Sequence, residues 1–299
     1  MNKYKLQRAA NASWKYAILI ALMFITLVPF LMIVSVSFTD QQAINKFGYS
    51  LIPAKFSVLG WSYVLASPKQ IIDAYVLTIA VTVVGTIGSV MIGALMAYPL
   101  SRPDFLYRKF VQWFLYIPGV ISGGIVPTYI LITQYLHLAD TFWVLVVPTL
   151  AQMGYMWLLR TFFYNVPEAL IESAKIEGAG EITIFLKIVL PVAKTGIATI
   201  ALFTTLIYWN EWYHAMMYMN TDKYVTLQFF LQRIMENIQF LQREANLGTD
   251  VGMLKKLVAT PSDAIKMASV LLAAGPMLCI FPFFQKYFVK GLTVGSVKG

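Results

Sequence analysis

The chain has 299 residues, of which 59% are hydrophobic and 12% are charged, and its formal net charge is +9. Soluble globular domains have about a quarter of their residues charged, so this composition excludes that class and favours an integral membrane protein. The single cysteine, Cys279, excludes a disulfide framework.

Six apolar segments are long enough to predict membrane-spanning helices: residues 16–38, 75–100, 110–135, 142–159, 192–209 and 264–284. The first is too long for a signal-peptide core and has no obvious cleavage site, so we interpret it as a retained anchor. We therefore expect an all-α membrane protein. Its predicted parts are an N-terminal tail (residues 1–15), a six-helix domain (residues 16–284) and a C-terminal tail (residues 285–299).

The positive charge predicts the orientation of these helices. If the amino terminus is cytoplasmic, the inner segments contain fourteen of the 23 basic residues and five acidic ones, whereas the outer segments contain nine of each. The whole net charge then falls on one side, as the positive-inside bias requires. Both tails and the loop of residues 166–189 are therefore predicted to be cytoplasmic.

The first outer segment, residues 39–72, contains prolines and aromatic residues and predicts a short structured cap. The second span carries small residues at every fourth position, which predicts close helix packing and leaves open a role in lining a pathway: Gly85, Ser89, Gly93 and Ala97. The third span should be interrupted by its prolines and glycines, which makes it either a cavity wall or a kink used for packing: Pro118, Gly119, Gly123, Gly124 and Pro127. In the fourth span, Gln152 should face the protein interior, where it either contacts solute or bridges two helices.

The loop after the fourth span contains the most specific motif. Glu172-Ser173-Ala174-Lys175-Ile176-Glu177-Gly178 is followed nine residues later by Ile188-Val189-Leu190-Pro191. Short helices are expected here, with Gly178 and Gly180 ending the first one and allowing the chain to turn. The pattern E-x-A-x-x-x-G-x9-I-x-L-P resembles the cytoplasmic loop signature (the EAA motif) of bacterial ABC importer permeases. The alternative is an ordinary interfacial loop.

The resemblance implies a role for each matching residue. Glu172 would bind a basic residue in a cleft of the ATPase, Ala174 would permit close approach, and Gly178 would make the turn. Ser173 replaces the usual second residue of the motif and would alter the fit slightly. The positions marking the return to the fifth helix would be Ile188, Leu190 and Pro191.

The outer end of the fifth span reads Tyr208-Trp209-Asn210-Glu211-Trp212. Aromatic faces, an amide and a carboxylate predict a sugar-contact surface, and a similar W-N-E arrangement occurs in carbohydrate-importing permeases of this family. The same aromatic residues would also suit an interfacial belt. Both interpretations remain open for Tyr208, Trp209, Asn210 and Glu211.

The long outer loop of residues 215–263 contains an amphipathic pattern that predicts a helix lying on the outer face: Leu227, Leu231, Ile234, Ile238 and Leu241. It would pack on the membrane surface, dock an external binding protein, or do both. The cationic C-terminal tail resembles that of oligosaccharide permeases and would reach toward the ATPase or anchor at the headgroups.

The chain has no P-loop sequence, and its two histidines lie apart, so we expect neither an ATPase site nor a metal site. The resemblance, which covers nearly the whole chain, implies a MalG-like permease of the type I importer fold in a bacterial inner membrane. Its implied partners are a second homologous permease, an ATPase dimer that binds ATP and Mg²⁺, and an extracytoplasmic solute-binding protein that delivers an oligosaccharide. The alternatives are a permease for a non-sugar solute, an ion-coupled carrier or channel, and a membrane-embedded enzyme.

Overall fold

The structure is a computed structural model that describes the backbone of residues 3–246 and 261–295 and the side chains of residues 14–243 and 261–285. Within these ranges every regular element is a helix: α1 (Lys3–Ser37), α2 (Gln41–Phe47), α3 (Leu59–Val64), α4 (Pro68–Ser101), α5 (Arg108–Val120), α6 (Ile125–Ile130), α7 (Met153–Tyr164), α8 (Glu168–Ile176), α9 (Glu181–Ile184), α10 (Leu190–Val192), α11 (Lys194–Trp209), α12 (Tyr213–Tyr218), α13 (Leu227–Asn246) and α14 (Ser262–Gly295). Short 3₁₀ and π turns supplement them at Leu131–Tyr135, Phe142–Leu145, Val147–Thr149 and Phe185–Val189.

Three of the described helical segments are long and apolar enough to cross a membrane by themselves: Trp14–Ser37, Pro68–Ser101 and Ser262–Gln285. Three further candidates are bent pairs, Arg108–Val120 with Ile125–Tyr135, Phe142–Thr149 with Met153–Tyr164, and Glu181–Val192 with Lys194–Trp209. If each bent pair forms one span, the described residues contain six candidates. They overlap the six apolar segments of the sequence.

The break in the third candidate is the interruption that its glycines and prolines predict. Helix α5 ends at Val120, α6 begins at Ile125, and their axes differ by 110°. Gly124 adopts φ +86° between them, a backbone conformation that favours glycine. The fourth candidate also bends, by 53°, where the sequence predicted one continuous span. Pro148 lies in the 3₁₀ turn just before this bend and has no backbone N–H to continue a helix.

The chain divides into two compact units. One contains Met1–Pro68 and Arg233–Pro276, and the other contains Lys69–Gln232 and Met277–Gly299. In the first unit, the predicted cap after α1 is ordered by an aromatic stack in which Phe38 packs on Phe56 and Trp61, each with ring centroids 5.7 Å apart. The side chain of Gln41 donates to Asp263 Oδ2 (2.9 Å) and accepts from the Asp263 amide (3.0 Å), which ties the cap to the start of α14.

In the second unit, the small-residue stripe of α4 packs against other helices, as predicted. Gly85 lies against the ring of Tyr208, and a Cβ added there would lie 2.5 Å from the ring carbon Cζ. Ser89 Oγ is 3.0 Å from the Tyr208 hydroxyl, and Ala97 is fully buried. This tight packing holds α4 and α11 together.

The amphipathic pattern of the outer loop forms helix α13, and Leu227, Leu231 and Ile238 on its apolar face are buried. Residues 247–260 of that loop lie outside the described residues. The backbone of α14 continues to Gly295, beyond the predicted end of the last span at residue 284. Residues 296–299 of the predicted tail and the side chains from residue 286 onward lie outside the described part.

Candidate functional site

The predicted loop motif forms a separate nine-residue helix, α8, which packs on the core of the second unit. Pro167 precedes it and cannot continue a helix backward, and Glu168 and Lys175 lie at the ends where the helix dipole favours their charges. Ile171 and Ala174 are 1% and 8% exposed. They belong to a buried cluster that also contains residues of α4, α7, α9 and the π turn that follows α9. One face of α8 is therefore anchored.

The other face of α8 is open. Glu172 and Ser173 are exposed, and the Ser173 hydroxyl donates to the Leu170 carbonyl at 3.2 Å, within the same helix. Ile176 lies one turn after Glu172 and is 88% exposed. A carboxylate and an isoleucine side by side on a short anchored helix form a surface suited to a protein partner. The motif alone did not single out Ile176 for this role.

The end of α8 confirms the predicted turn at Gly178. The Ala179 amide donates to the Ala174 carbonyl (2.9 Å), and the Gly178 amide donates to the Lys175 carbonyl (3.0 Å). This pair of bonds is a Schellman cap, and it requires φ +83° at Gly178. Gly180 has an ordinary φ of −72° and starts the next helix.

After this turn the chain is helical again from Glu181 onward. Ile188 and Leu190 are half-buried against the core cluster, whereas Pro191 is exposed. Ala193 separates this segment from α11, and the two axes differ by 79°. Leu190 and Pro191 therefore precede a sharp bend into α11.

A cluster of charged residues joins α8 to its surroundings. Lys175 Nζ lies 2.8 Å from Asp104 Oδ2 and 3.0 Å from Glu181 Oε1. The Tyr98 hydroxyl donates to Glu181 Oε2 at 2.5 Å. The hydrogen bond from Lys175 is the main reason that the pKa of Asp104 lies below its usual value. The bonds to Asp104 and then Glu181 raise the pKa of Lys175.

The sequence did not indicate this cluster. Asp104 precedes Lys175 by 71 positions, and Tyr98 precedes Glu181 by 83. Only Lys175 and Glu181 are close enough in sequence for a local pattern to have suggested a pair.

Gln152 lies at the bend of the fourth candidate span and lines a half-open cavity in the second unit. The cavity has about 400 Å³ of empty volume, part of it open to the outside. Its polar lining residues are Ser89, Gln152, Tyr155 and Thr204, and no charged side chain lines it among the described residues. Most of the lining is apolar, and the buried Ser89 and Thr204 hydroxyls are hydrogen-bonded within the protein. The polar groups that the cavity can offer to a solute are therefore the Gln152 amide and the Tyr155 hydroxyl.

The aromatic cluster at the far end of α11 is mostly buried. Tyr208 and Trp209 are 1% and 2% exposed, and the Tyr208 hydroxyl contacts Ser89 Oγ (3.0 Å) and the Val146 carbonyl (3.2 Å). Tyr208 thus lies behind Ser89, which lines the cavity. Asn210 is exposed, and its Oδ1 accepts from Gln228 Nε2 at 3.1 Å.

Glu211 is 6% exposed and faces His214 instead of solvent. Its carboxylate accepts from the His214 amide at 2.7 Å, and the Nδ1 atom of His214 is 2.9 Å away. The Thr226 hydroxyl donates to the Glu211 carbonyl at 2.6 Å. The cluster that begins at Tyr208 and the loop motif lie at opposite ends of α11.

Several known proteins are similar to this chain. A family model described as "Binding-protein-dependent transport system inner membrane component" matches residues 89–294. The polygalacturonan/rhamnogalacturonan transport system permease protein YtcP of Bacillus subtilis is 35% identical over 284 residues, covering 95% of this chain and 96% of that protein. Protein LplC of the same organism is 34% identical over 275 residues, covering 92% and 90%.

The sn-glycerol-3-phosphate transport system permease protein UgpE of Pectobacterium atrosepticum is 27% identical over 229 residues, covering 75% of this chain and 72% of that protein. Among solved structures, a chain of a bacterial ABC transporter involved in the import of the acidic polysaccharide alginate superimposes with a TM-score of 0.75. The match covers 96% of this chain and 99% of that chain at 22% identity. It shows a common fold.

Proposed function

The chain belongs to the family of binding-protein-dependent transport system inner membrane components, and on that premise we propose that it forms half of the translocation pathway of an ATP-driven oligosaccharide importer. A second homologous permease would supply the other half. An extracytoplasmic binding protein would deliver the sugar, and a pair of ATPase subunits would drive the cycle from the cytoplasm. The chain itself acts as a multi-pass subunit without its own ATPase site.

We propose a six-span topology with both termini in the cytoplasm. Three single helices and three bent pairs supply the spans, and the excess of basic residues on one set of connecting segments supports the orientation. The tails of residues 1–15 and 285–299 and the loop of residues 166–189 then face the ATPase, and the segment of residues 215–263 faces the binding protein.

The observation that carries the proposal is the two-sided character of α8. Its inner face is buried through Ile171 and Ala174, while Glu172 and Ile176 on its outer face are exposed. We call Glu172, Ser173 and Ile176 the coupling face and propose that it docks into a cleft of the ATPase. Glu172 pairs there with a basic residue, Ile176 fills an apolar pocket, and Ala174 lets the helix sit close to the core.

Transport then follows from rigid-body coupling. ATP and Mg²⁺, bound by the partner subunits, close the ATPase dimer and bring its two clefts together. The docked α8 moves with its cleft and shifts the helices on which it is anchored, so the pathway changes from inward-facing to outward-facing. Gly178 holds the turn after α8, and the segment containing Ile188, Leu190 and Pro191 transmits the movement into α11.

For the solute, the cavity at Gln152 supports contact with an uncharged part of a sugar, since its lining combines apolar side chains with the Gln152 amide and the Tyr155 hydroxyl. Gln152 would contact the sugar directly. Tyr208, Trp209 and Glu211 would shape the outer end of α11 from within, and Asn210 would present its exposed amide there. The 35% identity to a permease named for polygalacturonan and rhamnogalacturonan makes fragments of plant polysaccharides the first candidates, and the uncharged cavity would contact their hydroxyl groups and not their carboxylates.

The coupling role is tested with the purified complex of both permeases and the ATPase in proteoliposomes. Breaking a charge pair at a buried interface costs about 2–5 kcal/mol, so Glu172→Ala should abolish sugar-stimulated ATP hydrolysis or release the ATPase during purification. Asp73→Ala is the matched control, because Asp73 is an exposed carboxylate at the predicted outer end of α4. Wild-type hydrolysis and assembly with Glu172→Ala would refute the docking role.

The substrate is tested with the cognate extracytoplasmic binding protein. Calorimetry across a panel of galacturonan fragments, neutral oligosaccharides and sn-glycerol 3-phosphate should show saturable binding of an oligosaccharide. Binding of glycerol phosphate alone would assign the chain to a non-sugar importer. ATP-independent uptake by vesicles containing only this chain would instead indicate an ion-coupled carrier or channel.

A further inference from the structure

Lys175 differs from the coupling-face residues because its side chain points into the protein's own charge cluster. Its ammonium group lies 2.8 Å from Asp104, in the connection between α4 and α5, and 3.0 Å from Glu181, at the start of α9. A lysine ammonium has three donors, so one side chain can join α8 to two other segments at once.

The cluster continues to helix α4. Glu181 uses its second carboxylate oxygen to accept from the Tyr98 hydroxyl at 2.5 Å, and Tyr98 lies in the last turn of α4. On the other side, Asp104 Oδ1 is 3.9 Å from Arg102 Nε, just after the end of that helix. Both contacts of Lys175 therefore lead to the same end of α4.

Helix α4 also forms part of the cavity wall. Ser89, Gly93 and Met96 line the cavity, and Tyr98 follows Met96 by two residues. A displacement applied to the Tyr98 end of α4 is therefore applied close to the cavity.

The buried contacts of Ile171 and Ala174 already pack α8 against the core cluster, which includes Tyr98 and Leu100 of α4. The chain then leaves α8 through the glycine turn at Gly178. Lys175, in the last turn of α8, adds a polar connection to α4 that does not pass through that turn.

We propose that Lys175 is a positioning residue that braces α8 against α4 through Asp104, Glu181 and Tyr98, so that movement of the docked α8 reaches the cavity wall. This inference rests on the proposed coupling role of α8. Lys175 touches neither ATP nor sugar in this scheme, and its effect is on how much transport each ATP hydrolysis produces.

The brace predicts a particular kind of defect. Its side chains are partly exposed, with 39% for Lys175 and 54% each for Asp104 and Glu181, and exposed ion pairs contribute little to folding. Lys175→Met should therefore leave assembly and basal ATP hydrolysis near wild type. The number of sugar molecules transported per ATP should fall, by roughly two- to thirtyfold as for other variants within coupling networks.

The test measures sugar uptake and ATP hydrolysis in the same proteoliposomes. Lys175→Arg should retain most of the coupling because it keeps the charge and the donors, and Asp104→Asn should resemble Lys175→Met. Lys109→Met is the matched control, since Lys109 is an exposed lysine on the same predicted side with no ion pair among the described residues. It should transport like the wild type.

Unchanged sugar per ATP in Lys175→Met would overturn the brace. Loss of the ATPase from both Lys175→Met and Asp104→Asn complexes would also overturn it, because it would indicate direct docking or a folding role. The proposed function fails separately, if the wild-type complex shows no sugar-stimulated hydrolysis or if Glu172→Ala has no effect.

Discussion

The Schellman turn after α8 allows a prediction whose magnitude follows from the backbone. Gly178 has φ +83°, and a Cβ added there meets no atom within 4 Å, so Gly178→Ala is opposed only by its backbone conformation. An L-residue in this left-handed region costs roughly 1–2 kcal/mol. Gly180→Ala is the matched control two residues away, because its φ is −72° and the space around it is also open. That change should stabilise by about 0.4–1 kcal/mol through the unfolded chain.

The effect on the unfolded chain applies equally to both alanine variants and cancels, so they should differ by about 1–2 kcal/mol in the free energy of opening the turn. Hydrogen–deuterium exchange of the purified permease complex measures this quantity, since the amides of Gly178 and Ala179 are bonded only while the cap is closed. Exchange of these two amides should be faster in Gly178→Ala than in Gly180→Ala, with Gly178→Asn between them because asparagine tolerates this conformation better. Equal exchange in the two alanine variants would refute the assigned turn.

Three further predictions concern other parts of the second unit. Gly85→Ala should destabilise the detergent-solubilised protein by about 1–3 kcal/mol through overpacking, because the Tyr208 ring lies 2.5 Å from the added Cβ. Thermal unfolding measures the loss of stability, and Tyr208→Leu in the same chain should recover part of it. The Asp104–Lys175 contact should contribute the same free energy of unfolding at all pH values near neutrality. Because the pKa of Asp104 is lowered, this contribution is lost only as the pH falls below about 4. Because the pKa of Lys175 is raised, it is also lost as the pH rises above about 10. Melting curves from about pH 6 to about pH 8 should show no step that Lys175→Met removes, and a step there would contradict this assignment. Gln152→Leu should lower sugar uptake while preserving assembly, since it removes the amide from the cavity lining; uptake equal to the wild type would exclude Gln152 as a solute contact.

Several features could be predicted from the sequence because they depend on neighbouring residues. The apolar segments, the interruption between Val120 and Ile125, and the amphipathic pattern of α13 all reflect local composition and period. The turn at Gly178 likewise follows from a glycine placed just after a short helical pattern. The small-residue stripe of α4 indicated a packing face, although it did not identify Tyr208 as the residue packed against Gly85.

The roles of individual side chains depended on the tertiary structure. The sequence placed Tyr208 and Glu211 in a promising polar and aromatic cluster, but whether a side chain at a helix end faces solvent or a neighbouring helix is decided by that neighbour. Here the Tyr208 hydroxyl is hydrogen-bonded to Ser89 and to the Val146 carbonyl. The Glu211 carboxylate accepts a hydrogen bond from the His214 amide.

The sequence by itself determined an all-helical membrane protein with a short polar helix between two apolar segments, since both follow from hydrophobic period and glycine position. Only the tertiary structure decided that Ile176 is exposed beside Glu172, and that Lys175 joins Asp104 and Glu181. The physical reason is distance along the chain: an ion pair between residues 71 positions apart forms only when packing brings α8 next to the connection between α4 and α5, and no local sequence pattern indicates it.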